Sequence, residues 1–124
     1  MIQVDYEKFV EEYIEIALPG NTKDKFKSKF YEMLSRMTPD VAKSVATATY
    51  NTDLRDMLPY IVVPCTFIMS NSNTVATAFA QNYMIEHMKN ARTTLAKVKT
   101  KGHLPHLTAG KEVVMYISEV IQKW

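Results

Sequence analysis

The sequence predicts an α/β chain in a single domain, with an all-helical front over residues 3–60 and a βαβα back with two parallel strands over residues 61–124. Three observations carry that reading. Apolar residues recur at helical spacing as far as Tyr50. The period then breaks in the β-branched run Tyr60-Ile61-Val62-Val63-Pro64-Cys65-Thr66-Phe67-Ile68-Met69. A second extended run, Leu95-Ala96-Lys97-Val98-Lys99, comes after a further helical stretch. A length of 124 residues suits one domain with a core of modest size.

The first helix is expected over residues 5–17, where Tyr6, Phe9, Val10, Tyr13, Ile14 and Ala17 share one face and Glu7, Glu11, Glu12 and Glu15 the other. Leu18-Pro19-Gly20-Asn21 ends it, because Pro cannot continue the hydrogen-bond ladder and Gly-Asn favours a turn. A second helix is expected from Thr22, as N-cap, to Met37, with Phe26, Phe30, Met33, Leu34 and Met37 as its stripe. Thr38-Pro39-Asp40 then offers a capping hydroxyl, a proline at the first helical position and an acid in the first turn. The third helix therefore runs from Pro39 to Tyr50, with Val41, Val45, Ala48 and Thr49 on its apolar face. A short helical turn capped by Asp53 leads to Pro59.

In the back half, Cys65 to Met69 reads as a strand apolar on both faces, as in a parallel sheet covered by helices. Ser70-Asn71-Ser72-Asn73-Thr74 is expected as a polar loop at its C-terminal end. Residues 76–89 return to helical spacing through Val75, Phe79, Tyr83, Met84, His87 and Met88. Thr94 to Thr100 forms the second strand, and residues 111–124 the last helix, with Val113, Ile117, Val120, Ile121 and Trp124 on one face. The expected crossover is right-handed. Two strands make a narrow sheet with an open edge, so the back half looks like the end of a larger one.

Composition narrows the function classes. With 47% hydrophobic and 23% charged residues the chain is of ordinary globular type. A net charge of +2 is too small to imply nucleic acid, and the cluster Lys97, Lys99 and Lys101 reads as a solvated strand edge. No stretch reaches the ~18 apolar residues of a membrane span. The start, Met1-Ile2-Gln3-Val4-Asp5, lacks the charged and apolar regions of a signal peptide. The single cysteine, Cys65, sits in an apolar run and reads as a buried, inert thiol suited to a reducing compartment. Cytoplasm is the expected location, with the nucleus as an additional one.

The chemistry points to Gly102-His103-Leu104-Pro105-His106-Leu107. A histidine on a loop just past a strand end is where an α/β enzyme places a general base, yet no Gly-x-Ser-x-Gly nucleophile elbow occurs in the chain. Ser70 and Ser72 lie near a strand end but open no helix. Asp53 and Asp56 are the candidate carboxylate partners for a histidine at 103, although Asp53 serves more simply as a cap. His87, His103 and His106 have no metal-ligand spacing around them, so no metal or other cofactor is expected. His87 reads as a core or boundary residue, and His106 as packing under its loop.

Thr52-Asp53-Leu54-Arg55, Val63-Pro64-Cys65 and the Gly-His-Leu-Pro-His-Leu string stand in an order and spacing that resemble the α/β-hydrolases of the strigolactone and karrikin receptor type and their bacterial stress-regulator relative. The three helices before Tyr50, with Asp5-Tyr6-Glu7 and Met37-Thr38-Pro39-Asp40, are similar to that family's helical lid. The resemblance implies a partial, truncated α/β-hydrolase domain that begins within the lid. It implies His103 as the triad base and places Asn73 where the triad acid belongs, with Ser72 and Thr77 replacing the flanking basic residue and proline. It also implies a pocket for a small butenolide or ester, roofed by lid positions such as Val45, Ala48, Thr49 and Phe30, with hydrolysis in a complete domain. Asn at the acid position and the missing serine imply that this chain alone does not hydrolyse; loss of the orienting acid costs a serine protease about 10⁴-fold. The alternative is a non-catalytic interaction module, whose Phe26/Phe30/Met33 stripe meets a partner protein or a second copy.

Overall fold

In a computed structural model, residues 5–20 and 22–123 are described. The expectations for Met1 to Val4, for Asn21 in the first turn and for Trp124 on the last helix lie outside them. The chain divides between Asp53 and Leu54 into two compact units. The short helical turn before Pro59 belongs to the second unit.

In the first unit, α1 (Tyr6–Ala17) is capped by the Asp5 carboxylate, which accepts from the Lys8 N–H at 3.0 Å. Its predicted face is the buried one: Val10, Ile14 and Ala17 are buried, and so is Leu18 just beyond. Tyr6, Phe9, Tyr13 and Phe30 form a chain of ring contacts with centroids 6.1–6.3 Å apart. Burial pushes the Tyr13 phenol above its ordinary range, and the nearby Tyr50 adds to that. The second helix, α2 (Asp24–Ser35), is tied back by the Tyr6 hydroxyl, which donates to the Leu34 carbonyl at 2.9 Å, and by the Lys27–Glu15 ion pair at 2.7 Å. It is shorter than expected at both ends. Thr22 does not cap it; the Thr22 hydroxyl donates to the Pro19 carbonyl at 3.1 Å, and Lys23 takes the cap position without a side-chain bond.

The third helix, α3 (Pro39–Asn51), starts as its Thr-Pro-Asp signal predicts, with Thr38 accepting from the Val41 N–H. Its apolar face is not buried. Val41 and Val45 are half-exposed at 50% and 54%, Tyr50 is exposed at 86%, and Ala42 alone on α3 is buried. The Phe26/Phe30/Met33 stripe likewise buries nothing fully.

The second unit opens with a 3-10 helix, Arg55–Tyr60, whose cap position is Leu54 rather than Asp53. Next come β1 (Cys65–Ser72), α4 (Ala78–His87), β2 (Thr93–Lys101), the single turn α5 (Pro105–Thr108) and α6 (Gly110–Gln122). The strands pair in parallel, with Cys65 opposite Thr93 and Ser70 opposite Val98, and among the described residues no other strand joins them. β1 continues through Ser70-Asn71-Ser72, which the sequence suggested as loop. Between Ser70 and Ser72 the partner advances from Val98 to Lys101, so β2 carries an extra residue there.

Met69, Ser70, Met88, Val98 and Val113 are buried in this unit. Cys65 is only half-buried, as are Thr66 to Ile68, so β1 is less covered than its composition implied. The predicted stripe of the fourth helix holds only in part: Met88 is buried and Tyr83, Met84 and His87 are half-buried, but Phe79 is exposed at 80%, and within α4 Gln81 is the buried residue, its amide donating to the Ala76 carbonyl at 2.6 Å. On α6 Val113 is buried, while Ile117 and Ile121 are exposed. α6 borders β2 through the Tyr116 hydroxyl, which donates to the Lys97 carbonyl at 3.3 Å. The Lys99 N–H in turn donates to the Glu112 carboxylate at 3.1 Å.

Candidate functional site

Parallel strands end at the same edge of a sheet, and ligands of open α/β sheets bind beyond that edge. Here the edge brings together residues 30 positions apart: Asn73 directly after β1, and His103 just past the end of β2, after Gly102. Asn73 Nδ2 lies 3.2 Å from His103 Nδ1. The structure thus joins the two positions that the resemblance assigned to the triad acid and base.

Each partner is fixed from behind. Asn73 Oδ1 accepts from the Val75 N–H at 3.0 Å and the Ala76 N–H at 2.9 Å, the Asx turn by which Asn shapes a chain after a strand. Thr77 then caps α4, accepting from the Ala80 N–H. On the other side Gly102 has φ +92°, a conformation that side-chain-bearing residues rarely adopt, which explains the glycine before the histidine. The Gly102 N–H donates to the Ser72 carbonyl at 2.7 Å, and its carbonyl accepts from the buried Ser70 hydroxyl at 2.6 Å. Past His103, Pro105 opens α5, and the Thr100 and Thr108 hydroxyls share a hydrogen bond of 2.7 Å that holds this turn to β2.

Ser70 is the contributor that sequence reasoning missed. Its sequence context suggests a loop serine or a stand-in nucleophile; buried and bonded to Gly102, it supports the histidine's backbone instead. A serine ending an apolar strand opposite a Gly-His loop was the available signal. His103 itself is half-buried. Its bonded partner is Asn73, not Asp56. His106 is exposed on α5 rather than packed under the loop. His87 is half-buried at the end of α4, as a boundary residue should be. Val45, Ala48 and Thr49 are exposed on α3 in the first unit, and Thr49 donates its hydroxyl to the Val45 carbonyl. Among the described residues no group of three His, Cys, Asp or Glu side chains converges as a metal site would require, and no helix is long and apolar enough to cross a membrane.

No protein-family model matches the chain. Curated relatives do. A strigolactone esterase of Pisum sativum is 30% identical over 108 residues, covering 87% of this chain and 40% of the pea protein. A strigolactone esterase of Arabidopsis thaliana is 25% identical over 122 residues, 98% of this chain and 45% of that protein. A karrikin insensitive 2 receptor of Petunia hybrida is 26% identical over 108 residues, 87% and 39% of the respective lengths. The chain therefore spans about two fifths of the length of these relatives. Among solved structures, a hydrolase from Oleispira antarctica superposes with a TM-score of 0.87 over 98% of this chain and 44% of its own, at 21% identity. A likeness at that identity establishes the fold. The chain has part of an α/β-hydrolase fold, and over that part it is similar to the strigolactone and karrikin receptor-hydrolases.

Proposed function

We propose that this chain supplies the histidine-bearing part of an α/β-hydrolase-type site that binds a small ester or butenolide without hydrolysing it. The observation that supports this is the 3.2 Å contact between Asn73 and His103. The place of an acid–base pair is kept, but a neutral amide stands where a carboxylate would balance the charge of an imidazolium. The site thus retains geometry suited to holding a ligand and lacks the charge suited to turning it over. Positions Val45, Ala48 and Thr49 are the proposed lid contacts, by likeness to the receptor-hydrolases, and the cytoplasm or nucleus is the proposed compartment.

The test uses the full 124-residue chain. With p-nitrophenyl butyrate, hydrolysis is expected to match that of a His103→Ala variant, while γ-butyrolactone protects the chain against thermal unfolding. Turnover that His103→Ala abolishes would overturn the proposal, and so would the absence of any lactone effect at millimolar concentration.

A second reading, a protein-interaction module, is favoured by α3, where Val41, Val45 and Tyr50 leave much of an apolar stripe uncovered. Self-association that Val41→Lys/Val45→Lys abolishes, with no lactone effect, would favour that reading over the first.

A further inference from the structure

We infer that His103 is held as its Nε2–H tautomer, so that the site presents a hydrogen-bond donor and takes an acceptor, the carbonyl of an ester or lactone or a carboxylate. The inference deepens the small-ligand reading above and rests on it for the identity of the ligand. The tautomer itself rests on hydrogen-bond logic alone.

Backbone N–H groups only donate. Two of them, from Val75 and Ala76, converge on the same terminal atom of Asn73 at 3.0 and 2.9 Å. That atom must be the oxygen. Turning the amide over would set an NH₂ group against both donors, losing two hydrogen bonds in order to change one. The remaining terminal atom is therefore the NH₂ nitrogen, and it faces His103 Nδ1 at 3.2 Å. A ring nitrogen that accepts from an NH₂ group carries no proton, so the neutral ring carries its proton on Nε2.

This is the reverse of what a triad needs. A general base must offer a lone pair at Nε2, and the acid's role is to keep the proton on Nδ1. With Asn73 in that place, Nε2 cannot accept a proton from a hydroxyl while the ring is neutral, but it can donate to an oxygen. The ring is half-exposed, and the hydrogen bond described for it is at Nδ1. The supports from Ser70 and Ser72 to Gly102 fix the backbone that carries it. The loop is built to hold a donor in place.

The experiment is a long-range proton–nitrogen correlation spectrum of the full chain labelled with ¹⁵N-histidine at pH 8, with His103→Phe used to assign the ring. The expected result is a protonated Nε2 and a bare Nδ1 at His103, and the reverse in Asn73→Asp. A proton on Nδ1 in the unaltered chain, or a mixture like that of free histidine, overturns the inference. γ-Butyrolactone and sodium acetate are then titrated separately; a shift at Nε2 with one and not the other tells carbonyl from carboxylate. Asn73→Asp is expected to weaken that response about fivefold, the equivalent of one neutral hydrogen bond. A lactone response from a ring protonated on Nδ1 leaves the binding reading standing and the inference overturned. An Nε2–H ring that answers neither probe overturns the binding reading and the acceptor ligand, and supports the tautomer alone.

Discussion

His87 and His103 are held in opposite tautomers by neighbours of opposite kind. His87, the last residue of α4, stacks on Tyr83 with ring centroids 3.8 Å apart, and its Nδ1 lies 2.8 Å from the Tyr83 carbonyl. A carbonyl only accepts, so His87 carries its proton on Nδ1 and leaves Nε2 as a lone pair. His103 meets the Asn73 NH₂ and carries its proton on Nε2. The ring with a lone pair at Nε2 lies on a helix end, and the ring beyond the strand ends presents a donor there. The side chain's identity does not decide its chemistry; the donor or acceptor beside Nδ1 does.

Breaking the Asn73 side of this contrast should have the largest effect. Asn73→Ala removes the acceptor for two backbone N–H groups as well as the donor to His103. At about 1 kcal/mol per hydrogen bond, a loss of about 2–3 kcal/mol is expected in urea denaturation. In the same variant the His103 ring should become a tautomer mixture while His87 keeps its proton on Nδ1. A His103 ring that stays Nε2–H without Asn73 would show that another group sets it.

The Gly102→Ala substitution ranks next. A side chain at φ +92° is strained, and the buried peptide on each side is committed to Ser70 and Ser72. A loss of about 2 kcal/mol is expected, with the His103 signals broadened and the His87 signals unmoved. An unchanged urea midpoint would mean that the loop relaxes into another conformation without cost, and that Gly102 does not position the histidine.

The uneven legibility of this site has physical reasons. The β–loop–histidine order and the start of α3 were readable because Thr38-Pro39-Asp40 and Gly102-His103 act locally. The face of α1 was readable because six apolar residues share it. Burial on α3 and α4 was not. Spacing assigns a face but not what covers it, and Gln81 is buried because its amide finds the Ala76 carbonyl. The extension of β1 was missed because Ser70, Asn71 and Ser72 look like loop; their pairing depends on the extra residue in β2. The assignment of Asn73 to an acid's position comes only from the family resemblance. Its effect on the ring could not be read, since the Val75 and Ala76 N–H groups that orient the amide carry no side-chain signature.

Ser70→Ala should have a smaller effect than either, since it leaves one buried carbonyl, that of Gly102, without its 2.6 Å donor. About 1 kcal/mol is expected. The readout that separates positioning from mere stability is the His103 tautomer ratio, which should begin to average, while Ser70→Thr, which keeps the hydroxyl, restores it. An unaltered ratio in Ser70→Ala would confine the serine to packing.

The smallest effect should come from the other histidine. His87→Phe keeps a flat ring over Tyr83 and gives up only the Nδ1–H bond to a carbonyl at the end of α4. That carbonyl lies on the helix's last turn, where water can serve it, and stacking between two aromatic rings offsets part of the lost bond. A change of about 0.5 kcal/mol is expected in urea denaturation, with the His103 spectrum and any lactone response unchanged. A shifted His103 spectrum would show that the two histidines are coupled through α4, and the separate account given for each ring would fail. If only the urea midpoint moves, the contrast holds in its strongest form. The two rings then differ because of their immediate partners, and the Asn73 amide makes His103 a donor at Nε2.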